Sequence, residues 1–268
     1  MTKRALCVGV NPYSCAPERS LNGCVNDANA WADLLESRFD FGGNVTRLVN
    51  KPTRDEIVGH LHGLVRGAKS ADTLVFVISS HGSCKGLGGG RYNQTMVPYD
   101  CRHLFDYEFR NLFAELEEGI HMAVIADTCF SGTVTRFAFD ESAAPVAPGT
   151  APAAQSTLRV RFLNPVDSGA SWLPPPHAFT IDEEYPESEM KEILLSACTY
   201  LQYAKEDEFD GVSHGVLTHF ALQAIGNALG HPTYEQLHKA LEPVGYTKYQ
   251  QDPQLEGQEA NKKKPIFS

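Results

Sequence analysis

The chain has 268 residues, 42% of them hydrophobic and 21% charged, enough apolar material for a large core in one domain. Its 33 acidic residues against 23 basic ones give a formal net charge of −10, which argues against nucleic acid or an anionic membrane as partner and leaves cationic ligands open. No window approaches the roughly 18 consecutive apolar residues of a spanning helix, and the start MTKRALCVGV is too short for a cleaved leader, so a cytoplasmic protein is expected.

Short β-rich apolar runs alternate with amphipathic segments of helical length, the pattern of an α/β fold with helices on both faces of a mostly parallel sheet. Ala5 to Val10 reads as the first strand, Asn26 to Arg38 as the first helix and Val45 to Val49 as a second strand. Thr53 with Glu56 has capping-box spacing, and the helix it opens carries Ile57, Leu61, Leu64 and Val65 to the sheet before ending near Gly67. Thr73 to Ile78 is nearly all apolar, as a strand buried on both faces must be, and stops at Ser79-Ser-His-Gly82. The glycines between 86 and 90 lack a following Lys-Ser/Thr and read as a mobile surface loop. A helix over Leu104 to Leu116 precedes a second central strand, His121 to Ala126, which ends in Asp127-Thr-Cys-Phe-Ser-Gly132.

From about 138 to 190 the regular pattern fails, and nine of the seventeen residues from Glu141 to Thr157 are Ala or Pro, a linker composition. The pattern resumes with a strand at Ile193 to Ala197, helices at about Gly215 to Ala228 and Thr233 to Leu241, and a final short strand at Pro265 to Phe267. One domain over 1–268 therefore divides into a first part to 137, a linker or insertion over 138–190, and a second part over 191–268.

In open α/β sheets the active site lies beyond the carboxyl ends of the strands, where His81 and Cys129 both stand, 48 residues apart. A free thiol with a pKa of about 8.5 is mostly protonated at neutral pH and must lose its proton to attack a carbonyl, which an imidazole base allows. The amides of Gly82 and Cys129 are placed to form an oxyanion hole. The seven cysteines are scattered and lack a C-x-x-C pair, which argues against a disulfide framework or structural zinc and for reduced thiols, with Cys7, Cys101 and Cys198 in the core. The remaining histidines, among them His121, His214 and His219, lack metal-ligand spacing.

With these motifs in order, Leu21-Asn-Gly-Cys-Val-Asn-Asp-Ala28, Ser79-Ser-His-Gly-Ser83, Asp127-Thr-Cys-Phe-Ser-Gly132, Ser196 through Glu206 and Ser213-His-Gly-Val-Leu-Thr218, the chain resembles the caspase-like cysteine peptidases, and within them the metacaspases and bacterial caspase homologues. The resemblance implies a sheet of about six strands, a Cys129–His81 dyad without a third member, and a monomer. It also implies a specificity pocket made by Cys24, Asp27, Ser79 and Asp127. Where the caspase signature has glutamine two residues before the nucleophile, this chain has Asp127, and two acids in one pocket suit an arginine or lysine side chain. Family members are often cleaved in the linker, which makes Arg136, Arg159 and Arg161 candidates for self-cleavage in an accessible stretch. Metacaspases commonly need calcium. Here the loop after His81 has no acid, Arg136 stands where aspartate is frequent and Asp100 alone is a ligand-type residue, so no cofactor is expected. Ser80 and Phe130 depart from the family's usual glycine and histidine without removing a catalytic atom.

The reading is thus an endopeptidase cleaving peptides or proteins after Arg or Lys through an acyl-enzyme. A non-catalytic caspase-like scaffold or regulatory binding protein is the alternative. An unrelated redox or nucleotide-binding protein is disfavoured by the missing C-x-x-C pair and phosphate fingerprint.

Overall fold

A computed structural model of the protein describes residues 1–88, 91–129, 157–164, 186–199 and 202–268. Its centre is a six-stranded sheet in the order β12-β9-β7-β3-β1-β2, formed by β1 (Lys3–Gly9), β2 (Val45–Leu48), β3 (Thr73–Ser79), β7 (His121–Asp127), β9 (Glu192–Ser196) and β12 (Gln254–Glu256). All neighbours pair in parallel except β12, which runs antiparallel to β9.

Alternation along β3 decides what covers the sheet, because successive side chains of a strand point to opposite faces. Leu74, Phe76 and Ile78 join one apolar cluster with Ile57, Leu61 and Leu64 of α2 (Arg54–Val65) and Phe109, Leu112 and Phe113 of α3 (Asp106–Ala114). Val75 and Val77 join the other, with Trp31 and Leu35 of α1 (Cys24–Arg38), Leu217 and Ile225 of α4 (Val216–Asn227) and Leu237 and Leu241 of α5 (Tyr234–Leu241). The capping box is formed: Glu56 Oε2 accepts from the Thr53 amide at 2.9 Å, while the Glu56 amide donates to Thr53 Oγ1 at 3.4 Å.

Two small sheets stand at the carboxyl edge of the large one. One joins β4 (Gly82–Gly88), β5 (Arg91–Met96) and β6 (Leu104–Phe105), and the other joins β8 (Arg159–Val160), β10 (Lys205–Phe209) and β11 (Val212–Gly215). Four expectations change. The glycine-rich stretch is largely an antiparallel hairpin up to Gly88 and from Arg91, because β4 and β5 pair their backbones. Pro265 makes only an isolated bridge to Thr233, and the last strand is Gln254–Glu256, since Leu255 lies beside Leu195 and extends the apolar sheet. A disulfide joins Cys15 to Cys101 across 86 residues, leaving Cys7, Cys24, Cys84, Cys129 and Cys198 as free thiols. The linker is not wholly outside the core, because Arg161 and Leu163 are fully buried. Arg161 therefore does not lie in an accessible stretch. Among the described residues no helix is long and apolar enough to cross a membrane.

Candidate active site

Register along the sheet brings the chemistry together. Gly9 pairs with Ser79 and Ser79 with Asp127, so three strand ends meet at one edge with His81 and Cys129 immediately beyond. Gly82 is the contact between the two loops: a Cβ there would fall 2.0 Å from the Cys129 carbonyl oxygen, so only glycine allows this approach.

His81 is buried. Its Nε2 lies 2.8 Å from the Arg19 carbonyl oxygen, and because a carbonyl only accepts, Nε2 carries the proton and Nδ1 is the basic nitrogen. The Tyr13 hydroxyl accepts from the His81 amide at 2.7 Å and donates to the Val10 carbonyl at 3.0 Å, with its ring 4.7 Å from the imidazole. Burial lowers the His81 pKa to about 4. The Cys129 thiol donates to the Ala204 carbonyl oxygen at 3.5 Å, and burial, with Cys198 nearby, raises its pKa well above the ordinary range. Both groups are thus neutral near pH 7, and no hydrogen bond joins them among the described contacts. Catalytic hydrogen bonds in resting enzymes are often long or misaligned, so this arrangement does not disqualify the dyad.

Asp27, Ser79 and Asp127, three of the residues expected to form the pocket, converge on the chain's own Arg161. The guanidinium Nη2 donates to Asp27 Oδ2 at 2.7 Å and reaches Glu206 Oε2 at 3.4 Å. Nη1 donates to Ser79 Oγ at 2.8 Å and to the Asp127 carbonyl at 3.0 Å, and lies 3.0 Å from Asp127 Oδ1 off hydrogen-bond alignment. Cys24 is buried and close enough for Arg161 to perturb its thiol, whose pKa is nevertheless raised because burial dominates.

Each acid is positioned from a separate element. Asp27, in the first turn of α1, accepts from the Gly215 amide and from His214 Nδ1 at 2.9 Å. Asp127 Oδ2 accepts from the Thr218 amide and hydroxyl at 2.9 and 2.8 Å. Glu206 accepts from the amides of Asn22 and Gly23. Burial works to raise the Asp27 carboxyl, but Arg161, His214 and Ser79 outweigh it and hold the group below its usual value. At Asp127 burial wins, and the Asp27 charge adds to the rise. Burial also opposes the charge on Arg161, and the surrounding acids more than reverse this. A Cβ on Gly215 would fall 2.3 Å from Arg161 Nη1, so that glycine makes room for the guanidinium.

The backbone around Arg161 is also engaged. Its amide donates to the Ala204 carbonyl at 2.9 Å, and its carbonyl accepts from the Gly82 amide at 2.8 Å, the predicted oxyanion donor. Residues 159 and 160 pair antiparallel with β10. Arg159 is exposed and donates to the Ser20 carbonyl at 2.9 Å, whereas Arg136 lies outside the described residues, as do Phe130 to Gly132. Asp100, the candidate calcium ligand, accepts at Oδ1 from the amides of Arg54 and Arg102.

Sequence reasoning gave no role to three contributors. Glu206 closes the motif that begins at Ser196, and only tertiary packing shows it buried beside Arg161. His214 has no periodic signal. The Arg19 contact is made by backbone and leaves no trace in side-chain identity.

A caspase-like fold with a cysteine and a histidine at adjacent strand ends defines the class of caspase-type cysteine peptidases. The model of the metacaspase peptidase C14 domain matches residues 3–138, and the chain belongs to that family. A metacaspase-1 from Mycosarcoma maydis is 27% identical over 94% of this chain and 69% of its own length. Metacaspase-1 of Plasmodium falciparum is 32% identical over 51% of this chain and metacaspase-7 of Arabidopsis thaliana 33% over 49%. This chain spans 25% and 35% of the length of those two relatives. In fold, the chain matches a crystal structure of a Geobacter sulfurreducens protein with a TM-score of 0.71 at 20% identity, covering 100% of this chain and 99% of that one. It also matches the Drosophila initiator caspase Dronc at 0.59 and 11%, over 99% and 82%.

Proposed function

We propose that the chain is a cysteine endopeptidase that cleaves on the carboxyl side of arginine or lysine, and that it processes itself at the Arg161–Phe162 bond. One observation carries this reading: the Arg161 side chain fills the carboxylate pocket while its carbonyl accepts from the Gly82 amide. A substrate in position for attack needs both at once.

In the reaction, the Cys129 thiol leaves the Ala204 carbonyl and its sulfur attacks the Arg161 carbonyl carbon while His81 Nδ1 takes the thiol proton. Charge on the former carbonyl oxygen is met by the Gly82 amide. The carbon–nitrogen bond to Phe162 breaks as His81 returns the proton to the leaving nitrogen. Water, deprotonated by His81, then hydrolyses the thioester and frees an Arg161 carboxylate. The step requires no metal ion, and calcium independence belongs to the proposal.

A second reading, a non-catalytic scaffold, draws on the same pocket being filled by the protein itself and on the thiol resting on Ala204. Intact mass of wild type and Cys129→Ala after incubation, with peptides ending in Arg, Lys or Asp in calcium or chelator, separates the two. A fragment beginning at Phe162 and cleavage after Arg or Lys, both lost in the variant and indifferent to chelator, are expected. No cleavage of any kind under either condition would leave the scaffold.

A further inference from the structure

The segment that enters the cleft does not stop at the pocket. From residue 160 to 164 burial alternates: Val160 half-buried, Arg161 buried, Phe162 half-buried, Leu163 buried, Asn164 exposed. This is the two-residue period of an extended chain with one face against the protein. Two side chains on that face are fully enclosed. One is Arg161, and the other is Leu163, which joins the apolar cluster containing Val10, Tyr13, Leu21, Met96 and Val97.

Gly82 grips both neighbours of Phe162: its amide donates to the Arg161 carbonyl at 2.8 Å and its carbonyl accepts from the Leu163 amide at 2.9 Å. The residue that would stabilise the oxyanion therefore also sets the register of the leaving-group side. Between the two anchors, Phe162 is only half-buried, its ring 5.4 Å from that of Tyr203, so its side chain is less enclosed than either anchor.

We infer that the cleft has a second anchoring subsite, apolar and two residues beyond the cleaved bond, so that its substrates are peptides with a basic residue, any residue, and then a leucine-sized apolar residue. This rests on the peptidase reading above and extends it to the leaving-group side. Self-cleavage would sever the segment between its two anchors, leaving each half held by one side chain, and a peptide carrying both would displace them.

The test uses the full chain after self-processing and internally quenched peptides spanning residues 158–164, Leu-Arg-Val-Arg-Phe-Leu-Asn. Peptides with the second leucine changed to Gly or Asp are compared with one whose Phe is changed to Ala. An arginyl-aminocoumarin substrate, whose leaving group is the coumarin amine with no residue beyond it, reports the basic pocket without the second subsite. Loss of a side chain from an enclosed apolar subsite predicts a fall of about ten- to a hundredfold in kcat/KM for Gly and more for Asp, with Phe→Ala within about threefold. Equal rates for all peptides, with the coumarin substrate cleaved, would overturn the second subsite and leave the basic pocket standing. No cleavage of any substrate would remove the peptidase reading and this inference with it.

Discussion

The amide of Gly82 and the carbonyl of Arg161 meet at 2.8 Å, and in the proposed function that contact makes a linker residue an internal ligand of the cleft. The guanidinium is fully buried among Asp27, Asp127 and Glu206, so the same contact blocks any other basic side chain from entering. Cleavage at that bond and relief of the block would be one event.

Arg161→Ala leaves three buried acids without their cation. Breaking a buried ion pair from one side costs about 3–5 kcal/mol, and the variant should lose stability by that order. A small guanidinium compound such as agmatine should restore part of it, because anything that binds the folded state alone stabilises by mass action. Thermal melts with and without agmatine check this. A rise for the variant and none for uncleavable Cys129→Ala, whose pocket is filled, is the expected pair.

Gly82→Ala would place its Cβ 2.0 Å from the Cys129 carbonyl and 2.9 Å from Thr128 Oγ1. Relief requires the two loops to part, which moves the amide off the Arg161 carbonyl. Loss of one oxyanion donor costs about a hundred- to a thousandfold, so self-cleavage should slow by at least a hundredfold. Gly59→Ala, where a Cβ meets nothing within 4 Å, is the control and should cleave at the wild-type rate.

Stability should depend on pH through groups that oppose one another. Burial holds His81, His103 and His121 at about 4, so from about pH 6.5 down to 4 the unfolded chain takes up protons that the folded chain refuses, and stability falls with falling pH. Burial raises Asp106 and Glu192 to about 7, so across roughly the same window the folded chain keeps two protons that the unfolded chain has lost, and their contribution falls as pH rises. Burial also lowers His219 and raises Asp127, so the two sets of groups largely offset one another across this window. In the double variant Asp106→Asn, Glu192→Gln two of the opposing groups are gone and the slope should steepen by ~2.7 kcal/mol per unit, read from urea melts between pH 4.5 and 6.5 on a Cys129→Ala background.

The Cys15–Cys101 bond ties down the loop that carries Tyr13 and Arg19, the two residues that hold His81. Thiol titration in denaturant without reductant should count five groups, and seven after reduction. Cys15→Ser should lower stability by about 2–5 kcal/mol and slow self-cleavage, because the Arg19 carbonyl is no longer fixed against Nε2. Seven thiols in the unreduced protein would rule this tether out.

Much of the architecture was legible locally. The apolar run at Thr73–Ile78, the capping box at Thr53 and Glu56 and the polar residues directly after two buried strands depend on neighbours a few positions away, and strand period, helix caps and turns are written at that range. Asp27, Ser79 and Asp127 could be assigned to one pocket because the motifs carrying them resemble those of a known family.

What the tertiary structure alone decided involves partners far apart in the chain. Arg161 meets Asp27 across 134 residues, Glu206 meets Gly23 across 183, and Cys15 meets Cys101 across 86. No periodicity connects such positions, and the Arg19 carbonyl has no side chain by which to be recognised. The stretch leading to Arg161 reads as linker because it is rich in Ala and Pro, and an arginine there is expected outside because burying one is costly. Only the folded protein supplies three carboxyl groups at one point to make that burial favourable.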